Sequence, residues 1–207
     1  MGERIQPTPM PLVIASGNPG KLREFTALLS AAGSGLNLDV RPQPPGLEVE
    51  ETGDSFAANA RLKAEAVARL TGQWALADDS GLSVDALGGA PGLHSARYAN
   101  SDGERIARLL RELAGQSDRR ARFTAVLAVA DPSGRTLLEV EGICEGVILE
   151  QPRGAGGFGY DPLFMVPDVG LTFAEMQPDM KRRLGHRGRA FEALLPRMAA
   201  LFPCSSP

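Results

Sequence analysis

An α/β fold with a mixed sheet is what this 207-residue sequence predicts. Three observations carry that prediction: short apolar runs of strand period alternate with stretches of helical period, two long apolar segments are joined by a tight turn, and Gly-rich loops follow strands. Residues 12–15 read as a buried strand. Beyond Ser16-Gly17-Asn18-Pro19-Gly20, the positions Leu22, Phe25, Leu28, Leu29 and Ala32 follow a helical period. Leu36, Leu38 and Val40 alternate as in a half-buried strand, and Pro42, Pro44, Pro45 and Gly46 end it in a loop leading to Glu48, Glu50 and Glu51. A helix capped by Asp54 or Ser55 should run to about Leu70, with Phe56, Leu62, Ala66, Val67 and Leu70 inward and Gly72 stopping it.

Residues 74–77 then read as a strand and 103–113 as a helix. Residues 123–130 and 136–149, joined by Asp131-Pro132-Ser133-Gly134, read as a long antiparallel hairpin. A second Gly-rich loop spans 154–160. After Pro167 a short basic segment leads into a last helix near 189–201. The expected organisation is an N-terminal extension over 1–10, one domain over 11–203 and a C-terminal tail over 204–207.

Hydrophobic residues make up 43% and charged residues 23%, which excludes a disordered or fibrous chain. The net charge of −3 supplies no global field for nucleic acid or an anionic membrane, so an anionic substrate must be met by local groups. Cys144 and Cys204 stand far apart, which predicts neither a disulfide framework nor a zinc site. The longest apolar runs, such as 125–130, fall short of the roughly 20 residues of a membrane span, and Pro9 and Pro11 break any secretion signal. A cytoplasmic protein is expected.

The chemistry concentrates in four places. The turn Ser16-Gly17-Asn18-Pro19-Gly20-Lys21 lies between strand and helix, where backbone N–H groups and the positive helix end can hold phosphate oxygens and Lys21 adds a charge. It lacks the spacing of a Walker A loop. Ala77-Asp78-Asp79-Ser80-Gly81 puts two carboxylates immediately after a strand; alternation turns them opposite ways, so one should serve a metal or a water and the other should bond to backbone. Glu50 or Glu51 can add an oxygen ligand for Mg²⁺, which needs few protein carboxylates beside water and phosphate. Lys63 on the next helix reads by default as part of a solvated face. In Gly156-Gly157-Phe158-Gly159-Tyr160-Asp161 the glycines allow close approach while Phe158 or Tyr160 offers a ring to a base; Lys181, His186 and Arg187 add hydrogen-bond donors for keto oxygens or phosphates.

Taken together, these segments resemble the Ham1, or inosine triphosphatase, family over almost the whole chain. The motifs are Ser16 to Lys21, Glu51-Thr-Gly-Asp-Ser-Phe56 with Asn59-Ala60 and Lys63-Ala64, Ala77 to Leu82, Leu87 to Gly92 before Ser95-Ala-Arg-Tyr98, Gly156 to Pro162, Thr172 to Met176 and His186-Arg-Gly188. Gly185 stands where the family typically has Ser, and Met180-Lys181-Arg182-Arg183 replaces a more acidic stretch. The resemblance implies an elongated mixed sheet with flanking helices, two lobes around a nucleotide-binding cleft, and a homodimer. It also implies that Ser16, Gly17, Asn18, Pro19, Gly20 and Lys21 bind phosphates, that Asp79 holds Mg²⁺ and accepts a proton, and that Ser80 contacts substrate. Glu50 or Glu51 would be the second metal ligand, and Phe158, Gly159, Tyr160, Asp161, Lys181, His186 and Arg187 the base pocket.

The reaction so implied is hydrolysis of deaminated purine nucleoside triphosphates (dITP, ITP, XTP, dXTP), water attacking the α-phosphorus to release pyrophosphate. A donor-lined pocket would suit a 6-keto purine and reject adenine, while rejection of GTP would depend on its 2-amino group. The competing readings are a Maf-like pyrophosphatase acting on dTTP or UTP and a non-catalytic nucleotide-binding module.

Overall fold

The computed structural model describes residues 8–31 and 36–202. Expectations for 1–7, Ala32 and Cys204 lie outside the described residues. The elements in chain order are β1 (Met10–Ala15), α1 (Pro19–Ala31), β2 (Leu38–Pro42), α2 (Phe56–Thr71), β3 (Trp74–Val84), α3 (Asp102–Glu112), β4 (Arg120–Ala130), β5 (Thr136–Ile148), β6 (Phe164–Val166), β7 (Leu171–Thr172), α4 (Pro178–Leu184) and α5 (His186–Leu201). Short 3₁₀ segments, Asp85–Leu87 and Gly92–Arg97, follow β3.

One seven-stranded sheet in the order β2-β1-β3-β4-β5-β6-β7 organises the chain. β1 pairs parallel with β2 and β3, and every later pairing is antiparallel. The expected hairpin is β4–β5. β3 runs to Val84 rather than ending at Ala77, because β4 pairs with it from Ala75 to Val84. β1, in contrast, accompanies β3 only from Trp74 to Ala77. The acidic pair therefore lies within a strand, at the level where its parallel neighbour has ended and a loop takes its place.

Alternation divides the core. Leu12, Ile14, Leu76, Leu127 and Val129 face α1 and α5, where Phe25, Leu28, Phe191 and Leu194 cover them. Val13, Ala15, Ala75, Ala77 and Ala128 face α2. A third cluster at the other end joins Leu82, Phe123, Phe164 and Phe173 to Leu109 and Leu113. β3 and β4 cross from the first two clusters to the third.

Helix α2 is capped as expected, with Ser55 Oγ accepting from Ala58 N–H and Gly72 left-handed at the end. Its inward face differs from expectation. Asn59, Ala60, Ala64, Val67 and Ala68 are buried, whereas Leu62 and Leu70 are exposed. A stripe of alanines seats the helix close to the alanines of β3 and β4, and that approach leaves the larger leucines outside. The short basic segment expected after Pro167 folds in part as helix α4, and α5 begins at His186 rather than near Arg189.

Candidate active site

The loop between β1 and α1 is built from its own polar atoms. Asn18 Oδ1 accepts from the N–H groups of Gly20 (2.8 Å) and Lys21 (3.3 Å), and Ser16 Oγ accepts from Asn18 N–H at 3.2 Å. Pro19 opens the helix, where its missing N–H costs nothing. Lys21 is thereby aimed back at the sheet, its Nζ 2.7 Å from Asp78 Oδ2.

Strand parity separates the two aspartates as expected. Asp78 continues the side of Leu76, and Asp79 the side of Ala77 toward α2. The expected backbone role of the second acid is not what is found. Asp78 Oδ2 instead meets Lys21 and the Nε of Arg187 (3.4 Å) and accepts from Ser80 Oγ at 3.0 Å. Burial alone would raise the Asp78 carboxyl, but Lys21 and Arg187 outweigh it and hold it well below the usual carboxylate range. Burial pushes Asp79 above its ordinary value despite Lys63, so Asp79 is the more basic of the pair.

Lys63 is the residue that sequence reasoning left on a solvated face. Its Nζ lies 2.8 Å from Asp79 Oδ1 and 2.8 Å from Glu51 Oε1, so two carboxylates from different elements converge on one cation. Its own burial opposes the charge, yet Asp79 and Glu51 raise its pKa. Glu50 is exposed and pairs with no cation among the described residues. Of the two glutamates, Glu51 is the one that shares Lys63 with Asp79. The Asp79–Glu51 pair fits a divalent cation in its donor type and in already holding a positive charge. Among the described residues no group of three or more His, Cys, Asp or Glu could hold a metal.

Across the sheet edge lies a cavity of about 470 Å³ whose lining includes Gly20, Glu24, Phe158, Phe173, Lys181 and His186. Phe158 offers its ring there, with Lys181 Nζ 5.1 Å and the Arg187 guanidinium 5.4 Å from its centroid. Tyr160 does not: it is buried in the core and its hydroxyl donates to Ser95 O at 2.9 Å. Asp161 Oδ2 accepts from Phe158 N–H (2.8 Å) and Lys181 Nζ (2.8 Å), while Gly159 N–H donates to Asp102 at 2.7 Å, so the loop is held from both sides.

The three expected donors are more committed than the sequence suggests. Arg187 donates to Glu24 (2.9 Å), Asp78 and Ser80 Oγ (2.7 Å), and Lys181 bridges Glu24 and Asp161. His186 stacks on Phe123, centroids 4.7 Å apart, with both ring nitrogens buried and unpartnered among the described residues. Burial keeps it neutral, far below the usual histidine range. Glu24, unmarked in the sequence, is the acid that ties α1 to α4 and α5.

The sequence model of the Ham1 family matches residues 12–197. A dITP/XTP pyrophosphatase of Synechococcus sp. (strain CC9311) is 63% identical over 92% of this chain and 90% of its own. One from Nostoc sp. (strain PCC 7120) is 56% identical over 94% of this chain and 97% of its own. The solved structure of a HAM1 protein from Coxiella burnetii superposes with a TM-score of 0.82 at 42% identity, covering 92% of this chain and 99% of that one.

Proposed function

We propose that this chain, which belongs to the Ham1 family, hydrolyses deaminated purine nucleoside triphosphates such as dITP and XTP to the monophosphate and pyrophosphate. The observation that carries the reading is the convergence of Asp79 and Glu51 on one cation position beside a helix N-terminus that carries Lys21. Relatives named dITP/XTP pyrophosphatase support it and do not favour the pyrimidine-specific or the non-catalytic alternative.

Asp79 and Glu51 would hold Mg²⁺, which when bound neutralises charge on the triphosphate and polarises the phosphoryl group. The α1 N-terminus and Lys21 draw the phosphate oxygens by charge, since Asn18 Oδ1 and Ser16 Oγ already take the N–H groups of Asn18, Gly20 and Lys21. Asp79, the more basic of the two aspartates, orients the attacking water and takes its proton at Oδ1 or Oδ2. Lys63 balances the paired carboxylates. In the cavity Phe158 stacks on the purine, and the spare N–H of Lys181 addresses the 6-keto oxygen, beside a wall to which His186 contributes. Adenine presents an amino donor at that position and leaves that N–H unpaired, so kcat/KM for ATP should fall at least about a hundredfold below that for dITP. Pyrophosphate release from dITP, XTP, ATP, GTP and dTTP, with Mg²⁺ and then with EDTA, tests this. Activity confined to dTTP, or none at all, would overturn it.

Gly20 links the two halves of the site. A Cβ there would fall 2.9 Å from two ring carbons of Phe158, so Gly20→Ala must displace the ring. The expected result is a KM for dITP raised about tenfold with a melting temperature little changed, since the misplacement is at the binding surface. Steady-state kinetics with thermal melts check it. A homodimer in the cytoplasm belongs to the same proposal, supported by the family resemblance and by a composition suited to a reducing compartment; sedimentation velocity tests the dimer.

A further inference from the structure

Glu51 lies within the irregular stretch between β2 and α2, with no regular element of its own to fix its side chain. Its two oxygens are nevertheless each taken by a cation, Oε1 by Lys63 and Oε2 by Arg97 Nη1 at 2.6 Å. Arg97 differs from Lys63 in touching neither Asp79 nor the core, and its side chain is 54% exposed. Its backbone is firmly placed. It ends the 3₁₀ segment Gly92–Arg97, which Ser95 pins to β3 by accepting from Leu82 N–H at 2.9 Å and donating to Gly92 O at 2.6 Å. That segment lies so close to β3 that a Cβ on Gly81 would run into Gly92 O. An anchored guanidinium thus holds the outer oxygen of a loop-borne carboxylate whose inner oxygen faces the cation position.

We propose that Arg97 is a positioning residue for the metal role of Glu51: it fixes the rotation of the carboxylate so that Oε1 stays turned toward Asp79. This rests on the assignment of Asp79 and Glu51 as the divalent-cation pair. Two effects of Arg97 oppose each other. Its charge repels a nearby dication, but a half-exposed guanidinium is screened by solvent. Holding a ligand in place is worth more, because losing an outer partner of a ligand commonly weakens metal affinity 10–100-fold.

The test is titration of Mn²⁺ into nucleotide-free protein, with free Mn²⁺ followed by electron paramagnetic resonance, on the wild type, Arg97→Ala and Arg97→Lys. Mn²⁺ affinity should fall about tenfold in Arg97→Ala and recover in part in Arg97→Lys, with no further loss when Arg97→Ala is added to Glu51→Gln. Unchanged or tighter Mn²⁺ binding by Arg97→Ala would make Arg97 a competing cation and overturn the proposal. Equal loss in the Glu51→Gln background, or a wild type that takes up no Mn²⁺, would overturn it too. Turnover of dITP measured in parallel separates this from the functional reading: Mn²⁺ binding that depends on Arg97 without turnover defeats the latter and leaves the former standing.

Discussion

Asp79→Asn is expected to retain about one thousandth of the wild-type kcat on dITP, while its melting temperature stays within a few degrees of wild type. The two halves of that expectation have separate causes. Asparagine keeps the shape of the side chain but loses the negative charge that a divalent cation requires and the lone pair that takes a proton from water. Of the two aspartates, Asp79 is the one whose carboxyl sits above its ordinary value, and Glu51, which Lys63 and Arg97 hold below the usual carboxylate range against its burial, is a weaker base. Stability is spared because Lys63 keeps Glu51 as its counterion at 2.8 Å, leaving no buried cation alone. Stopped assays with dITP, beside thermal melts, decide the matter. Loss confined to KM would mean that Asp79 only binds substrate.

The parts of the site written locally were legible. A Ser-Gly-Asn-Pro-Gly-Lys turn carries its own capping chemistry, and strand parity alone turned Asp78 and Asp79 to opposite sides, while the choice of Asp79 for the metal came from the family resemblance. What sequence reasoning missed depends on distance along the chain. Lys63, Glu24 and Arg97 are charged residues on helical turns, where the solvated face is the sound default, and only the fold brings Lys63 to Asp79, Glu24 to Lys181 and Arg97 to Glu51. Phe158 and Tyr160 are two aromatics in one glycine loop; which of them enters the core is decided by Ser95 O, which receives the Tyr160 hydroxyl. In α2 the small residues won over the large ones, since alanines on both surfaces let helix and sheet approach. Leu62 and Leu70 were then surplus to the core.

Asp78→Asn should have the opposite profile, with a loss of about 3 kcal/mol of stability and a melting temperature lower by roughly 6–12 °C. Asp78 is 2% exposed and faces Lys21 and Arg187, of which, among the described residues, only Arg187 has a second counterion, Glu24. Removing the charge leaves Lys21, which burial already pushes below the usual lysine range, as a buried cation without its carboxylate. The pH dependence follows from the direction of the Asp78 shift. Its folded pKa is depressed, so its stabilisation is complete above the unfolded value of about 4 and disappears as pH falls toward the folded value. In EDTA, the gap in unfolding free energy between wild type and Asp78→Asn should therefore hold steady from about pH 7 to pH 5 and close below about pH 4. Urea denaturation at each pH measures it. A gap that widened on acidification would mean that Asp78 is protonated in the folded protein, and the Lys21–Asp78–Arg187 pairing that aims the phosphate-loop lysine at the sheet would have to be abandoned.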